Sequence, residues 1–267
     1  MILSGEGAQN MSAARFLCIS LLSVIVMSVP PCPLAAEEFD EAAWRGRVLG
    51  VEPSGLYGPN SANGRFLNPW MPMEHAGFSR MIKWRLSRKA EYTDEERKHL
   101  PAIQNGASRR IAALNGEDFI LWVGHASFLI RTGGEYWLTD PVFSKRALLP
   151  ARKTPPGMSA REVNGLGGKL NVIISHNHYD HLDVASVREL RDDARFFVPK
   201  GLGEFIRSLG KKDVVEMDWW EERDLGGGKK MVCLPMQHWS LRIGQGRNTT
   251  LWASFLIITP GRKVYFA

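Results

Sequence analysis

The amino-acid sequence predicts a layered α/β fold, in which short strands are joined by turns and by a few helices. Short apolar runs rich in β-branched residues recur between clusters of Gly, Pro, Asn and Asp, as in Val172-Ile173-Ile174. Some of these runs are followed by segments with helical periodicity, which is typical of a sheet covered by helices. With 267 residues, the chain is long enough for one large domain and a leader, or for two small domains.

The composition and the distribution of charge indicate which kinds of binding partner the protein could have. Hydrophobic residues make up 44% of the chain, which is ordinary for a protein with a buried core. The net charge of +6 is spread in short pairs such as Lys211-Lys212, and no basic stripe with interleaved aromatic residues indicates nucleic acid. A basic surface suits an anionic substrate or a membrane surface, but an ordinary solvated surface explains the charge equally well.

The N-terminal stretch is predicted to be a signal peptide. Phe16 to Val29 is an apolar run preceded by Arg15, and the small residues Ala35-Ala36 follow it. The run is shorter than the roughly 20 residues that a membrane span needs. An uncleaved anchor is the alternative, because Leu34 occupies a position where a small residue is preferred. We expect the protein to be exported, either to the periplasm or to a membrane surface.

Residues 37–114 are predicted to form a polar N-terminal extension. Within it, Arg80 to Leu86 mixes apolar and basic residues at roughly helical spacing. We interpret this stretch as a helix packed on the main domain, with contact to lipid as the alternative. Thr93 is expected to begin another helix, because acidic residues follow it in the first turn.

Residues 115–267 carry the predicted core. Gly133-Gly134 and Thr259 to Arg262 are turn signals between consecutive strands. Asp183 is expected to begin one helix, and another is predicted from Leu202 to Leu209, ending at Gly210. The apolar runs interpreted as strands are Phe119 to Val123, Phe128 to Ile130, Tyr136 to Leu138, Leu170 to Ile174, Phe196 to Val198, Val214-Val215, Met231 to Leu234, Leu251 to Ile258 and Lys263 to Phe266. Pro150 to Gly168, rich in Pro, Gly and basic residues, is interpreted as a surface loop.

A cluster of metal ligands follows directly on the strand that ends at Ile174. The cluster consists of His176, His178, Asp180 and His181. Imidazole and carboxylate together suit zinc and its divalent neighbours. The two-residue spacing of His176 and His178 lets both rings turn to one side of an extended segment. Asp180 and His181 can then face a second ion.

Three further residues are candidates for the same site. His238 follows an apolar strand, so its position fits a ligand, although a lone histidine can also belong to a core. His125 and Asp140 lie at strand ends and are candidates for the second shell, where a carboxylate would fix the tautomer of a ligating imidazole. A simple turn at Asp140-Pro141 explains that residue equally well.

The motif His-x-His-x-Asp-His after an apolar strand resembles the signature of the metallo-β-lactamase fold hydrolases. Other stretches resemble the branch of N-acyl-phosphatidylethanolamine-hydrolysing phospholipase D. The resemblance runs from about Arg65 to Ala267 and implies an αββα sandwich, but it is less informative about substrate, since one fold hosts many chemistries. The stretches are Arg65-Phe66-Leu67-Asn68-Pro69-Trp70, Leu138-Thr139-Asp140-Pro141, Val198-Pro199, Asp218-Trp219-Trp220-Glu221 and Gln237-His238-Trp239-Ser240.

The resemblance implies two zinc ions. His176, His178 and His238 match the ligands of the first zinc ion. Asp180 and His181 match ligands of the second zinc ion, and the resemblance also implies that these two residues are catalytic. We therefore expect a zinc-dependent phosphodiesterase of the phospholipase D type, acting on N-acylethanolamine phospholipids or related lipids. The alternatives are another hydrolase of the fold, acting on a lactone or a soluble phosphodiester, and a metal-binding remnant without turnover.

The sequence departs from the family at its C-terminal end. Relatives place an aspartate in a Gly-Asp pair directly after the strand that here is Lys263 to Ala267, and they add a further histidine. Neither is in the printed sequence. We therefore expect a chain that is incomplete at its C terminus, with a signal peptide or anchor over residues 1–36, the polar extension over 37–114 and a partial domain over 115–267.

Overall fold

The computed structural model describes most of the chain after the predicted leader. The described residues are 42, 46, 55, 57–68, 78–87, 91–148 and 151–267. The predicted leader, residues 1–36, lies outside them, and its assignment stays a prediction. The chain divides into two compact units, one formed by residues 1–40 and 75–92 and the other by residues 41–74 and 93–267.

The first unit contains helix α1, Phe78–Leu86, which confirms the helix predicted in this stretch. Ile82, Trp84 and Leu86 of this helix are exposed. Within the described part of the chain, no helix has both the length and the apolar character that a membrane crossing requires.

The second unit begins with small elements that precede the sheets. A two-residue strand β1, Ser61–Ala62, pairs antiparallel with β2, Arg65–Phe66. Helix α2, Asp94–Lys98, begins as predicted, because the Thr93 and Glu96 side chains form a reciprocal capping box. Helix α3, Ala107–Ala113, is a finding that the sequence analysis did not predict.

A six-stranded sheet has the order β3-β4-β5-β6-β7-β8. The first three strands form an antiparallel meander, and β5 to β8 run parallel to one another. The predicted glycine turn at Gly133-Gly134 joins β4 to β5, and both glycines have positive φ. The strands are β3 Phe119–Gly124, β4 Ser127–Thr132, β5 Glu135–Thr139, β6 Leu170–Ile173, β7 Arg195–Pro199 and β8 Val214–Met217.

A four-stranded antiparallel sheet has the order β12-β11-β10-β9. Three of its strands match predicted ones, and β9 was missed because its sequence is mostly polar and exposed. The strands are β9 Glu222–Gly226, β10 Lys229–Leu234, β11 Ser254–Thr259 and β12 Arg262–Phe266.

Alternation along the strands divides the core into two layers. Successive residues of a strand point to opposite faces, so neighbours such as Trp137 and Leu138 enter different layers. One layer joins the two sheets, with Trp137 and Phe197 packed among Met231 and Phe255. The other layer lies on the outer face of the six-stranded sheet, under described helices. These helices are α3, α4 Ala160–Asn164, α5 Val184–Glu189 and α6 Gly203–Ser208. The architecture is therefore a layered, mixed α/β fold, as predicted.

Two sequence predictions are corrected by the structure. The stretch predicted as a loop between Pro150 and Gly168 contains α4, because Ser159 and Glu162 form a capping box and Val163 is buried. The stretch was predicted as a loop because it is rich in Pro and Gly, although Ser159 and Glu162 have the spacing of a capping box. The strand predicted from Leu251 starts only at Ser254, since the backbone N–H of Leu251 donates to Lys200 of another loop. Pro150 itself lies outside the described residues.

Candidate metal centre

Two loops carry the histidines to the same end of the two sheets. The first histidine loop, residues 174–183, follows β6, and the second histidine loop, residues 235–253, follows β10. The backbone N–H of Ala253 donates to the carbonyl of Ser175 at 2.9 Å, which ties the two loops together. Asp140 comes directly after β5, the parallel neighbour of β6, so its side chain starts at the same sheet edge.

Three imidazole nitrogens converge between these loops. Nε2 of His176 lies 2.9 Å from Nδ1 of His178, and Nε2 of His238 lies 3.1 Å and 3.3 Å from those two atoms. Three ring nitrogens cannot satisfy one another, because a neutral imidazole carries only one N–H and one lone pair. Ligands of a tetrahedral zinc, with bonds of about 2.0–2.1 Å, are separated by about 3.3 Å. The converging atoms therefore fit a metal ion.

A second group of ligand atoms lies next to the first. Oδ2 of Asp180 is 3.2 Å from Nε2 of His125 and 3.7 Å from Nε2 of His181. His181 also lies against His176, with ring centroids 4.2 Å apart. His125, which was predicted to lie in the second shell, therefore contacts the predicted ligand Asp180 directly. Its ring can offer a ligand atom to the same group as Asp180 and His181.

Asp140 orients two of the residues around it. One carboxylate oxygen accepts the backbone N–H of Ser175 at 2.7 Å, and the other accepts its hydroxyl at 2.6 Å. The second oxygen also pairs with Nδ1 of His181 at 2.7 Å. A carboxylate on Nδ1 holds the proton there and directs Nε2 toward Asp180. The side chain of Asp140 is thus fully engaged, which a simple turn at Asp140-Pro141 does not explain.

Burial sets the charge state of the converging histidines. Desolvation lowers the pKa of His178 to about 4, and neighbouring histidines add to this effect. Burial also lowers the pKa of His176 and of His238. For His181, burial opposes the charged form, but the hydrogen bond to Asp140 outweighs it and raises the pKa. The three converging imidazoles are therefore neutral at neutral pH, the form in which imidazole binds a metal.

Arg242 joins the two histidine loops and was missed by the sequence analysis. Its buried guanidinium donates to the carbonyl of Asn177 at 3.0 Å and to that of Leu182 at 2.9 Å. The same group lies over the ring of Tyr179, 4.2 Å from its centroid. In turn, the backbone N–H of Leu241 donates to the Asn177 side chain at 2.9 Å. The first histidine loop is thus held at both of its ends by the second.

A cleft of about 920 Å³ opens beside the two ligand groups. His125, His178 and Asp180 form part of its wall, and Lys145 and Arg152 lie on the wall as well. Most of the remaining lining is apolar, including Trp122, Leu148, Trp239, Leu241 and Ile243. Arg242 lines the cleft too, so the candidate site combines metal ligands, three basic groups and an apolar surface.

Comparison with known proteins identifies the domain. Residues 136–267 match the beta-lactamase superfamily domain. This part of the chain is a beta-lactamase superfamily domain. The match contains both histidine loops and Asp140, whereas His125 precedes it. The predicted resemblance and the fold class are therefore confirmed, and the domain is of the type found in metal-dependent hydrolases.

Individual relatives are identical to the chain at about a third of the aligned positions. An uncharacterised protein of Mycobacterium tuberculosis is 36% identical over 175 residues, which is 62% of this chain and 44% of that protein. N-acyl-phosphatidylethanolamine-hydrolyzing phospholipase D 1 of Caenorhabditis elegans is 32% identical over 164 residues, which is 55% of this chain and 45% of that protein. The chain thus spans less than half the length of these relatives.

One of the solved structures that match the chain is that of CmlA, a diiron beta-hydroxylase from Streptomyces venezuelae. It is 30% identical, with a TM-score of 0.41, over 57% of this chain and 29% of that chain.

Proposed function

We propose that this protein is a zinc-dependent phosphodiesterase of the phospholipase D type, acting on N-acylethanolamine phospholipids or related lipids. The observation that carries the proposal is the convergence of three neutral imidazoles beside a second ligand group, at the wall of a mostly apolar cleft. The activity named for the Caenorhabditis elegans relative supports the substrate class.

The ligand atoms divide between two metal positions. His176, His178 and His238 would hold the first zinc, since three imidazoles are a common ligand set for catalytic zinc. Asp180 and His181 would contribute to the second, and His125 is close enough to join them. When bound, the metal ions supply an activated water and positive charge for the phosphoryl oxygens of the substrate.

The protein's own groups prepare the site for this chemistry. Asp140 keeps the proton of His181 on Nδ1, so Nε2 is free to bind. Lys145 and Arg152 on the cleft wall place positive charge where an anionic phosphodiester would enter. Trp239 packs against His178, with ring centroids 4.3 Å apart, and shields that imidazole from water.

The apolar part of the cleft favours a lipid over a soluble phosphodiester. Leu148 and Ile243 are more than half exposed, at 53% and 81%, although they line a concave surface. Exposed apolar side chains around a polar site indicate a surface that an apolar ligand covers. An acyl chain lying along these residues would leave the phosphate near the ligand groups.

The test compares three classes of substrate on the zinc-loaded protein. We expect release of phosphatidic acid from N-acyl-phosphatidylethanolamine vesicles, and slower hydrolysis of bis(p-nitrophenyl) phosphate or of an acyl lactone. His178→Ala should abolish the lipid activity, whereas His99→Ala, which changes an exposed histidine in another part of the unit, should retain it. Hydrolysis of the lactone alone would show a different hydrolase, and zinc binding without turnover of any substrate would indicate a non-catalytic metal protein.

A further inference from the structure

We propose that Asn68 is a positioning residue of the metal centre, which fixes the backbone of His238 from the N-terminal segment. This inference rests on the proposed metal site, but not on the proposed substrate. Asn68 precedes the residues that match the superfamily domain, and its sequence context, Arg65 to Trp70, does not indicate a role for it. The structure brings it to the second histidine loop across 170 residues of sequence.

Both ends of the Asn68 carboxamide are used. The side chain is buried, and its Nδ2 donates to the backbone carbonyl of His238 at 2.9 Å. Its Oδ1 accepts the indole N–H of Trp252 at 3.1 Å. Because the amide has one donating and one accepting end, these two contacts allow a single orientation of the side chain.

Trp252 extends the same support to a second point of the loop. Its indole N–H also lies 2.9 Å from the carbonyl of Met236, and its ring is fully buried between the two sheets. The carbonyls of Met236 and His238 flank Gln237 in the sequence. The pair of Asn68 and Trp252 therefore holds the loop on both sides of the residue that precedes His238.

The segment that carries Asn68 is itself anchored. The backbone N–H of Phe66 donates to Asn248 at 2.7 Å, and that of Leu67 donates to Asn60 at 2.8 Å. The Asn60 side chain donates to Asp218 at 2.6 Å. Because the segment is held in place, the buried Asn68 amide can restrict movement of the His238 carbonyl. Asn68 therefore helps to fix the position of the second histidine loop.

His238 is the member of the converging group that most needs such support. His176 and His178 share the first histidine loop, whereas His238 reaches them from the loop of the other sheet. The nitrogen of His238 lies 3.1 Å and 3.3 Å from theirs, and these separations depend on the second loop's backbone. Loss of a group that orients a ligand typically weakens metal binding by about 10–100-fold.

The test replaces the donating amide and leaves its shape unchanged. Asn68→Asp keeps an acceptor for Trp252 but sets a carboxylate oxygen against the carbonyl of His238. The matched control is Asn164→Asp on helix α4. Asn164 also bridges two backbone groups, since it donates to the carbonyl of Glu189 at 2.8 Å and accepts the N–H of Arg191 at 2.9 Å, and it has no hydrogen bond to either histidine loop among the contacts of the described residues.

Zinc affinity is measured by competition with a chelator, and the free energy of unfolding of the metal-free proteins is measured with urea. We expect Asn68→Asp to weaken zinc binding by about 10–100-fold and Asn164→Asp to change it by less than about twofold. Cobalt-loaded Asn68→Asp should also show altered ligand-field absorption, which a general loss of stability would not produce. The proposal is overturned by wild-type zinc affinity in Asn68→Asp, or by an equal loss of affinity in both variants.

A second variant keeps the proposal testable if Asn68→Asp does not fold. Trp252→Phe retains an aromatic ring in the core and removes the indole N–H that orients Asn68 and Met236. We expect weaker zinc binding in this variant as well, and unchanged affinity would contradict the proposal. Because zinc affinity is measured without turnover, a failure of the proposed phosphodiesterase activity would leave this result unaffected.

Discussion

Buried polar side chains bridge the two sheets at both ends of the sandwich. At one end, Glu135 of β5 forms an ion pair with Lys229 of β10, and the Asn171 amide donates to the same carboxylate at 2.8 Å. At the other end, His238 follows β10 and faces His176, which follows β6. We call these the carboxylate end and the histidine end.

The two ends differ in whether nearby groups offset the effect of burial on the pKa of the buried side chains. At the carboxylate end, burial alone would raise the pKa of Glu135, but Lys229, Asn171 and Lys169 outweigh it and lower the pKa. At the histidine end, burial lowers the pKa of His176 and His238, and no carboxylate contacts their converging nitrogens among the described residues. At the carboxylate end, protein groups already pair with the charged side chains, so this end contributes stability. At the histidine end, the imidazole nitrogens have lone pairs that a metal ion could bind.

The largest expected effect removes a converging imidazole. His176→Ala should reduce zinc affinity by more than about 100-fold, because loss of a ligand exceeds the loss of a group that only orients one. Zinc content after mild chelation measures this, with His99→Ala as the control. Equal zinc retention in His176→Ala and wild type would contradict the assignment of a metal site to the histidine end.

The next effect concerns stability at the carboxylate end. Glu135→Ala leaves Lys229 without its main partner in a largely buried position, so we expect a loss of about 2–3 kcal/mol in the free energy of unfolding. Urea denaturation measures it, and Glu189→Ala, at an exposed position, should stay within about 0.5 kcal/mol of wild type. Zinc affinity should not change, and a parallel loss of zinc would show that the two ends are coupled.

A smaller effect is a dependence of stability on pH. The pKa of Glu135 is lowered in the folded protein, so its contribution is fully present above the unfolded pKa of about 4.3. That contribution is lost as the pH falls through the lowered native pKa. We expect the stability difference between wild type and Glu135→Gln to shrink below about pH 4 and to be constant between about pH 6 and 8. A difference that stays constant down to pH 3 would contradict this reasoning.

The smallest effect is expected from an exposed pair at the carboxylate end. Nε of Arg262 lies 3.4 Å from Asp118, with the arginine side chain 67% exposed. Arg262→Ala should cost less than about 0.5 kcal/mol, because solvent screens such pairs. Thermal or urea unfolding that showed a loss as large as that of Glu135→Ala would mean that burial does not distinguish the partners at this end.

Features that depend on a few neighbouring residues could be predicted from the sequence alone. The capping residues Thr93 and Asp183 and the turn at Gly133-Gly134 were found because their hydrogen bonds close within a few residues. The first histidine loop belongs to the same class, since a buried strand followed by alternating ligands is a local pattern.

Contacts between distant segments were decided only by the tertiary structure. The sequence alone determined that His176, His178, Asp180 and His181 lie together, and it singled out His238 by its place after a strand. It did not indicate that Asn68 contacts His238, because that contact depends on how the two sheets and the N-terminal segment pack. The roles of Arg242 and of the pair Glu135 and Lys229 have the same origin, since the spacing between sheets, and not local preference, sets which polar groups meet.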